Sequence, residues 1–432
     1  MTIYSKNSAE QQHQKTILAN GLTILSLYKS DVSSVSLEVL VKVGSRYETL
    51  STNGIAHFIE HMNFKGTSTR SAKYIAEEFD AIGGYLNAYT SKEVTVYSAK
   101  ILKEFMPLAV EVIADLMFNS LYLLEDIEKE KNVVLQELAQ SQDIPEEVVH
   151  ENFAEIAFAN QIVGKSILGK KENILQFTRQ QILDFIHNHY LAKNIIIAAV
   201  GNLNHQELVN IVQEKFIPFA DTNIPTPEKA VYTGGYNFTS NMELSQVHVT
   251  IGYEGIAIQS DEYYKLEMLA NILGGSISSR LFQEIREKRG LVYSVGSFIQ
   301  YYLDTGILGI SLSTSSDKVN ESLTTLSEEI AKISENITKV EMERCLAQVR
   351  ASLYMSRETT DNWVNILASD YLYYGRYIPQ EEIWQGYMNI TLEELHSFAK
   401  KIFDRKKPIT VSALGNLSKF LDYQQLQKML TI

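Results

Sequence analysis

At 432 residues with a net charge of −13, the chain is too long for one ordinary hydrophobic core. Its acidity, with no basic stripe to offset it, excludes a nucleic-acid partner. With 45% hydrophobic and 21% charged residues it is globular rather than disordered, and two domains of roughly 200 residues each are expected. Cys345 is the single cysteine, so no intrachain disulfide forms and a reducing compartment is favoured. The polar start, Met1 to Gln14, carries no apolar core of a secretory signal. The longest apolar run, Ile195 to Val200, is far short of the ~20 residues of a membrane span. A soluble, cytoplasmic protein without membrane insertion is the expectation.

In chain order, Leu22 to Tyr28 and Ser34 to Val43 read as a pair of strands. The second alternates, with Val35, Leu37, Val39, Val41 and Val43 on one face and Ser34, Ser36, Glu38 and Lys42 mostly on the other. After Gly44 a helix is expected from about Asn53, and another from Ser71 to Ile82, stopped by Gly83-Gly84. Tyr85 to Thr90 and Val94 to Lys100 form a hairpin pattern around Ser91-Lys92-Glu93. Helical patterns follow from about Glu104 to Met117 and from about Glu125 to Gln140, and Pro145 opens the next one. A helix from Arg179 to Tyr190 leads into the β-branched strand Asn194 to Val200. Pro218, Pro225 and Pro227 then cluster in a segment without periodicity, which reads as a linker.

Beyond the linker the pattern repeats. Ile195-Ile196-Ile197-Ala198-Ala199-Val200-Gly201-Asn202-Leu203 recurs as Ile409-Thr410-Val411-Ser412-Ala413-Leu414-Gly415-Asn416-Leu417. A similar helix precedes each, Thr178 to Tyr190 and Thr391 to Phe403, and the alternating strand recurs at Val247, Val249, Ile251 and Tyr253. Matches in the same order imply an internal duplication. The expected fold is α+β: two homologous α/β-sandwich domains, each a mixed sheet covered by helices. Their bounds are 1–217 and 236–432, joined by a linker over 218–235.

The chemistry concentrates in Gly54-Ile55-Ala56-His57-Phe58-Ile59-Glu60-His61-Met62, which has no helix breaker inside. On a helix, His57 and His61 stand one turn apart on one face, with Glu60 beside His61. Two neutral imidazoles and a neighbouring carboxylate are what a catalytic zinc site takes from one helix. A third ligand is needed, and the acidic Glu125–Gln140 pattern offers Glu128, Glu130 and Glu137. Glu130 and Glu137 share a face while Glu128 points elsewhere, and chemistry alone leaves the first two open. The second half has no histidine around Leu266 to Gly275, so only the first half can hold the metal.

The stretch Gly54 to Thr67, with its His57-x-x-Glu60-His61, resembles the signature of the inverzincins, the pitrilysin/insulysin-type metallopeptidases. It is most similar to the short bacterial members and to the catalytic subunit of the mitochondrial processing peptidase. The resemblance implies one Zn2+ per chain, with Glu137 in Val133-Val134-Leu135-Gln136-Glu137-Leu138 as third ligand and Glu130 as an auxiliary glutamate that supports catalysis. It implies Glu60 as the base, and Asn87, Ala88, Tyr89 and Thr90 as an edge strand to which an extended peptide adds. Arg286 and Tyr293 resemble the family's groups that hold substrate carbonyls and donate to the oxyanion. Family members enclose substrate between four homologous domains, so a chain with two implies a homodimer, or a heterodimer with an inactive homologue. In presequence-cleaving relatives, acidic residues in the region of Glu147 and Glu151 receive an arginine near the scissile bond, which implies a preference for basic peptides. The expectation is therefore a zinc metalloendopeptidase of unfolded peptides, and the competing class is a non-catalytic structural subunit of the same fold.

Overall fold

The alternating segments of the first half pair into one six-stranded sheet. A computed structural model describes residues 13–219 and 226–432. Residues 1–12, the polar start, and 220–225, the middle of the expected linker, lie outside the described residues. Strands β1 (His13–Ile17), β2 (Thr23–Tyr28), β3 (Ser34–Val41), β4 (Tyr85–Thr90), β5 (Thr95–Leu102) and β6 (Ile195–Gly201) run in the order β1-β2-β6-β3-β5-β4. Only the β2–β6 pair is parallel. The second sheet holds β7 (Gly235–Ser240), β8 (Val247–Glu254), β9 (Val292–Tyr301), β10 (Gly306–Thr314) and β11 (Thr410–Gly415), in the order β7-β11-β8-β10-β9. Here β7–β11 is the parallel pair.

Laid side by side, the two orders match strand for strand: β2 with β7, β6 with β11, β3 with β8, β5 with β10 and β4 with β9. Strand directions match as well, and β1 is an addition to the first sheet. The duplication reaches single residues. Gly201 and Gly415, which end β6 and β11, have φ of +142° and +140°. A Cβ on Gly201 would lie 2.2 Å from the Ser34 carbonyl oxygen, and one on Gly415 would lie 2.5 Å from that of Gln246. Only glycine fits either corner. The helices Arg179–His189 and Leu392–Ile402 open on the same reciprocal cap, Thr178 with Gln181 and Thr391 with Glu394.

Five helices of the first half matter here: α1 (Ile55–Asn63), α2 (Ala72–Ala81), α3 (Met106–Phe118), α4 (Leu124–Gln142) and α5 (Pro145–Ala157). Helices α1 and α3 bury Ile55, Phe58, Ile59, Val110 and Ile113 in the same core as Val35, Leu37, Val39 and Val41 of β3. One crossing between the two compact units, Glu228 to Lys229, falls within 218–235, but neither unit is continuous in sequence. One comprises Met1–Leu138, Ser166–Glu228 and Tyr354–Pro379; the other comprises Ala139–Lys165, Lys229–Leu353 and Gln380–Ile432. The reason is packing. In the first unit the Thr360–Tyr374 helix lies on β3 and β6, joining Trp363, Val364 and Leu367 to Leu25, Leu40, Ile196 and Ala198. In the second, α5 lies on the matching strands β8 and β11. Each half of the sequence thus covers the other half's sheet with one helix.

That exchange also covers both faces of β3, where every residue from Val35 to Val41 is buried. The Ser36 hydroxyl lies 2.6 Å from Asp361 Oδ1 and 2.8 Å from Thr360 Oγ1, so the covering helix answers the polar side chains. Among the described residues no helix is long and apolar enough to cross a membrane.

Candidate metal centre

Every residue of α1 except His61 is buried, and both helix ends are pinned by groups outside it. The N-cap, Gly54, sits at φ +101° with no side chain to cap the helix, and a Cβ there would lie 2.7 Å from the Leu168 carbonyl oxygen. Glu48 supplies the cap instead. Its carboxylate accepts the N–H of Gly54 and of Ala56, each at 2.8 Å, and the Asn53 amide at 2.9 Å. Burial pushes this carboxyl up to about 7 against the pull of those donors. At the other end Asn63, fully buried, donates to Tyr97 OH at 2.6 Å and accepts from Tyr122 OH at 2.6 Å. Tyr97 OH also meets Tyr190 OH at 3.2 Å.

Held this way, α1 brings His57 and His61 together with ring centroids 4.6 Å apart. From α4, Glu137 Oε2 lies 3.7 Å from His57 Nε2 and 3.6 Å from His61 Nε2. These three residues are the one metal-competent group among the described residues, their donor atoms all within 4.8 Å of one another. Two imidazole nitrogens and one carboxylate oxygen are the donor set of a catalytic zinc site. Glu130, two turns before Glu137, does not join the three. Its Oε1 accepts from His61 Nδ1 at 2.8 Å and its Oε2 pairs with Lys65 Nζ at 2.6 Å. A proton held on Nδ1 leaves the Nε2 lone pair facing the centre, so this contact sets the tautomer the donor set needs. Glu128 turns away to Lys131, at 2.7 Å.

The electrostatics agree with that geometry. Burial, with His61 alongside, lowers His57 to about 4, so its imidazole is neutral at pH 7 and its nitrogen free to ligate. Burial also pulls His61 down, but the hydrogen bond and charge of Glu130 outweigh it and leave the imidazole above its ordinary value. Burial would raise Glu130, yet His61 and Lys65 together hold it below the usual carboxylate range. Glu60 is raised by burial, with the Thr90 hydrogen bond and the nearby His61 pulling partly back. A raised carboxyl beside a metal site is a stronger base than an ordinary glutamate. Thr90 Oγ1 donates to Glu60 Oε2 at 2.6 Å.

Asn87, Ala88, Tyr89 and Thr90 lie on β4, the open edge of the six-stranded sheet, in the same unit as the centre. The other sequence candidates belong to the second unit. Arg286 sits in a seven-residue π-helical turn, over the Phe282 ring at 4.6 Å and 3.3 Å from Glu287. Tyr293 is the second residue of β9 and is 75% exposed. Glu147 and Glu151 stand on α5, the exchanged helix, rather than in the unit that holds Glu137. Sequence reasoning missed Glu48, Asn63, Tyr97, Tyr122 and Tyr190. Asn63 could have been noticed as a polar residue continuing a buried helix, whereas nothing local marks Glu48 as a cap eight residues ahead of its partner.

Residues 23–171 match the family model described as Insulinase (Peptidase family M16), and residues 176–349 match the one described as Peptidase M16 inactive domain. A Rickettsia bellii protein named uncharacterized zinc protease is 41% identical over 93% of this chain and 98% of its own length. A Bacillus subtilis protein named uncharacterized zinc protease YmxG is 34% identical over 92% of this chain and 98% of its own. Among solved structures, a protease from Helicobacter pylori matches with a TM-score of 0.87 at 24% identity, covering 94% of this chain and 99% of that one. A chain of complex III2 from Candida albicans matches with a TM-score of 0.85 at 20% identity, covering 97% of this chain and all of that one. These likenesses of structure establish the fold.

Proposed function

The chain belongs to the insulinase family, peptidase family M16, and from that premise we propose that it is a zinc metalloendopeptidase acting on unfolded peptides in the cytoplasm. The observation that carries the reading is the convergence of His57, His61 and Glu137 beside a buried Glu60. Zinc, when bound, supplies Lewis acidity to a water and to the peptide carbonyl. His57 presents a neutral nitrogen, and Glu130 holds the His61 ring through Nδ1 with Nε2 on the side of Glu137. Glu60 takes the proton from the attacking water at its carboxylate and delivers it to the leaving amine. The open edge of β4 offers N–H and C=O groups on which an extended peptide adds as one more strand.

The finer features belong to the same proposal. Arg286 and Tyr293, both partly or largely exposed, hold the substrate carbonyl and donate to the oxyanion from the second half of a partner copy in a homodimer. The two chains together enclose the peptide in a chamber. Glu147 and Glu151 on α5 favour a basic residue near the cut. A quenched-peptide assay with metal analysis tests the central claim. The expected result is one zinc per chain and hydrolysis abolished by a chelator and restored by zinc. Zinc-free protein, or cleavage indifferent to chelation, would assign the chain to the non-catalytic structural class instead.

A further inference from the structure

The hydrogen bond from Thr90 to Glu60 joins two parts of the site that are otherwise on separate elements. Glu60 stands on α1 and is only 9% exposed, while Thr90 ends the edge strand β4. Its hydroxyl donates to Oε2 of Glu60 at 2.6 Å, a short distance of the kind that charge-assisted bonds adopt. The backbone of Thr90 has a second task. In the hairpin, Ser91 N–H bonds to the Val94 oxygen at 2.8 Å, and Thr90 is the next residue along, opposite Thr95. Antiparallel pairs alternate between bonded and non-bonded positions. Thr90 and Ala88 therefore turn their N–H and C=O groups away from β5, toward the open edge where a peptide strand would pair.

We propose that Thr90 is a positioning residue, its hydroxyl fixing the orientation of the Glu60 carboxylate from the strand on which the peptide lies. The consequence is that the proton acceptor and the peptide share one reference point. A carboxylate free to rotate about its last torsions would meet the water in the right direction only part of the time, and fixing it avoids that loss. This rests on the peptidase reading above. Thr90 acts through Glu60, so removing its hydroxyl should reduce turnover and leave the zinc ligands and the backbone edge as they are.

The test compares Thr90→Val, which keeps the β-branched shape but cannot donate, with Thr90→Ser, which can. Kinetics on a quenched peptide, zinc per chain, and crystal structures of wild type and Thr90→Val are measured together. For Thr90→Val the expected result is a fall in kcat of roughly ten- to a hundredfold, the usual scale for a lost hydrogen bond to a charged group. KM should stay within about twofold, zinc content should not change, and the Glu60 carboxylate should leave its wild-type orientation. Thr90→Ser should recover most of kcat. A Thr90→Val enzyme with wild-type kcat, a loss confined to KM, or a Thr90→Ser enzyme as impaired as Thr90→Val would each overturn the proposal. If Thr90→Val proves too unstable to assay, Thr90→Ala is read by the same criteria. A wild-type chain that hydrolyses nothing while Glu60 still swings away in Thr90→Val would sink the peptidase reading and leave the positioning role standing.

Discussion

Removing Glu130 should weaken zinc binding without removing a zinc ligand. In Glu130→Ala two contacts vanish at once: the 2.8 Å bond from His61 Nδ1 and the 2.6 Å pair with Lys65. The His61 ring then loses the partner that fixes both its rotation and its tautomer, and a second positive charge is left beside the centre. Orienting partners of metal-binding histidines are typically worth 10- to 100-fold in affinity, or about 1.4 to 2.8 kcal/mol. Glu130→Gln keeps an oxygen that can accept from Nδ1 while losing the charge that answers Lys65, so its cost should fall below about tenfold. Glu137→Ala, which deletes a donor of the three-residue group, should exceed both. The assay is zinc titration of metal-free protein against a competing fluorescent chelator. A Glu130→Ala dissociation constant within about twofold of wild type would refute the argument that His61 needs this partner.

Glu60→Gln should retain one zinc per chain while losing roughly 10²- to 10⁴-fold in kcat, since it cannot accept the proton; turnover near the wild-type rate would rule out Glu60 as the base. Mixing Glu60→Gln chains with Tyr293→Phe chains should restore part of the activity that each lacks alone, if the tyrosine reaches the site of a partner copy; mixtures as inactive as their components would argue against a shared site. Glu38 offers a pH test, because burial, with Asp361 nearby, raises its carboxyl from 4.5 to about 7. The folded chain therefore keeps a proton that the unfolded chain releases, and stability falls as pH rises from about 4.5 through about 7. At about 1.4 kcal/mol per pH unit, Glu38→Gln should gain up to ~3 kcal/mol over wild type at pH 8 and little at pH 4. Urea unfolding showing the same difference at both pH values would contradict this. Asn63→Leu should remove the acceptor of the Tyr122 hydroxyl and the amide donor to Tyr97, whose hydroxyl keeps Tyr190, and cost about 1–3 kcal/mol, read as a drop in the urea midpoint; an unchanged midpoint would count against the pinning of α1.

Much of the architecture was legible because its signals are local or repeated. The hairpin around Ser91-Lys92-Glu93 appears as β4 and β5, with bounds within a residue or two of those read from alternation. The recurrence of Val200-Gly201-Asn202 as Leu414-Gly415-Asn416 reported a duplicated sheet, because a corner closed to any side chain restricts both copies to glycine. The covering of β3 was not legible. Ser36 and Glu38 look like residues bound for water, and nothing near them tells that Asp361 will arrive from the other half of the chain. The amphipathic pattern of a helix states that one face is buried but not which sheet buries it.

The metal centre divides along the same line. Helical periodicity by itself placed His57, Glu60 and His61 on one side of one element, since 3.6 residues per turn is a property of the backbone alone. It also put Glu130 and Glu137 on a common face. Which of the two reaches both imidazoles depends on where α4 lies against α1, and only tertiary packing decides that: Glu137 Oε2 comes within 3.7 Å of each Nε2, while Glu130 bonds to the far side of His61. The cap from Glu48 and the Thr90 contact with Glu60 belong to the same class. They join groups on different elements, and the distance between elements is set by side chains far away in the core rather than by spacing along the chain.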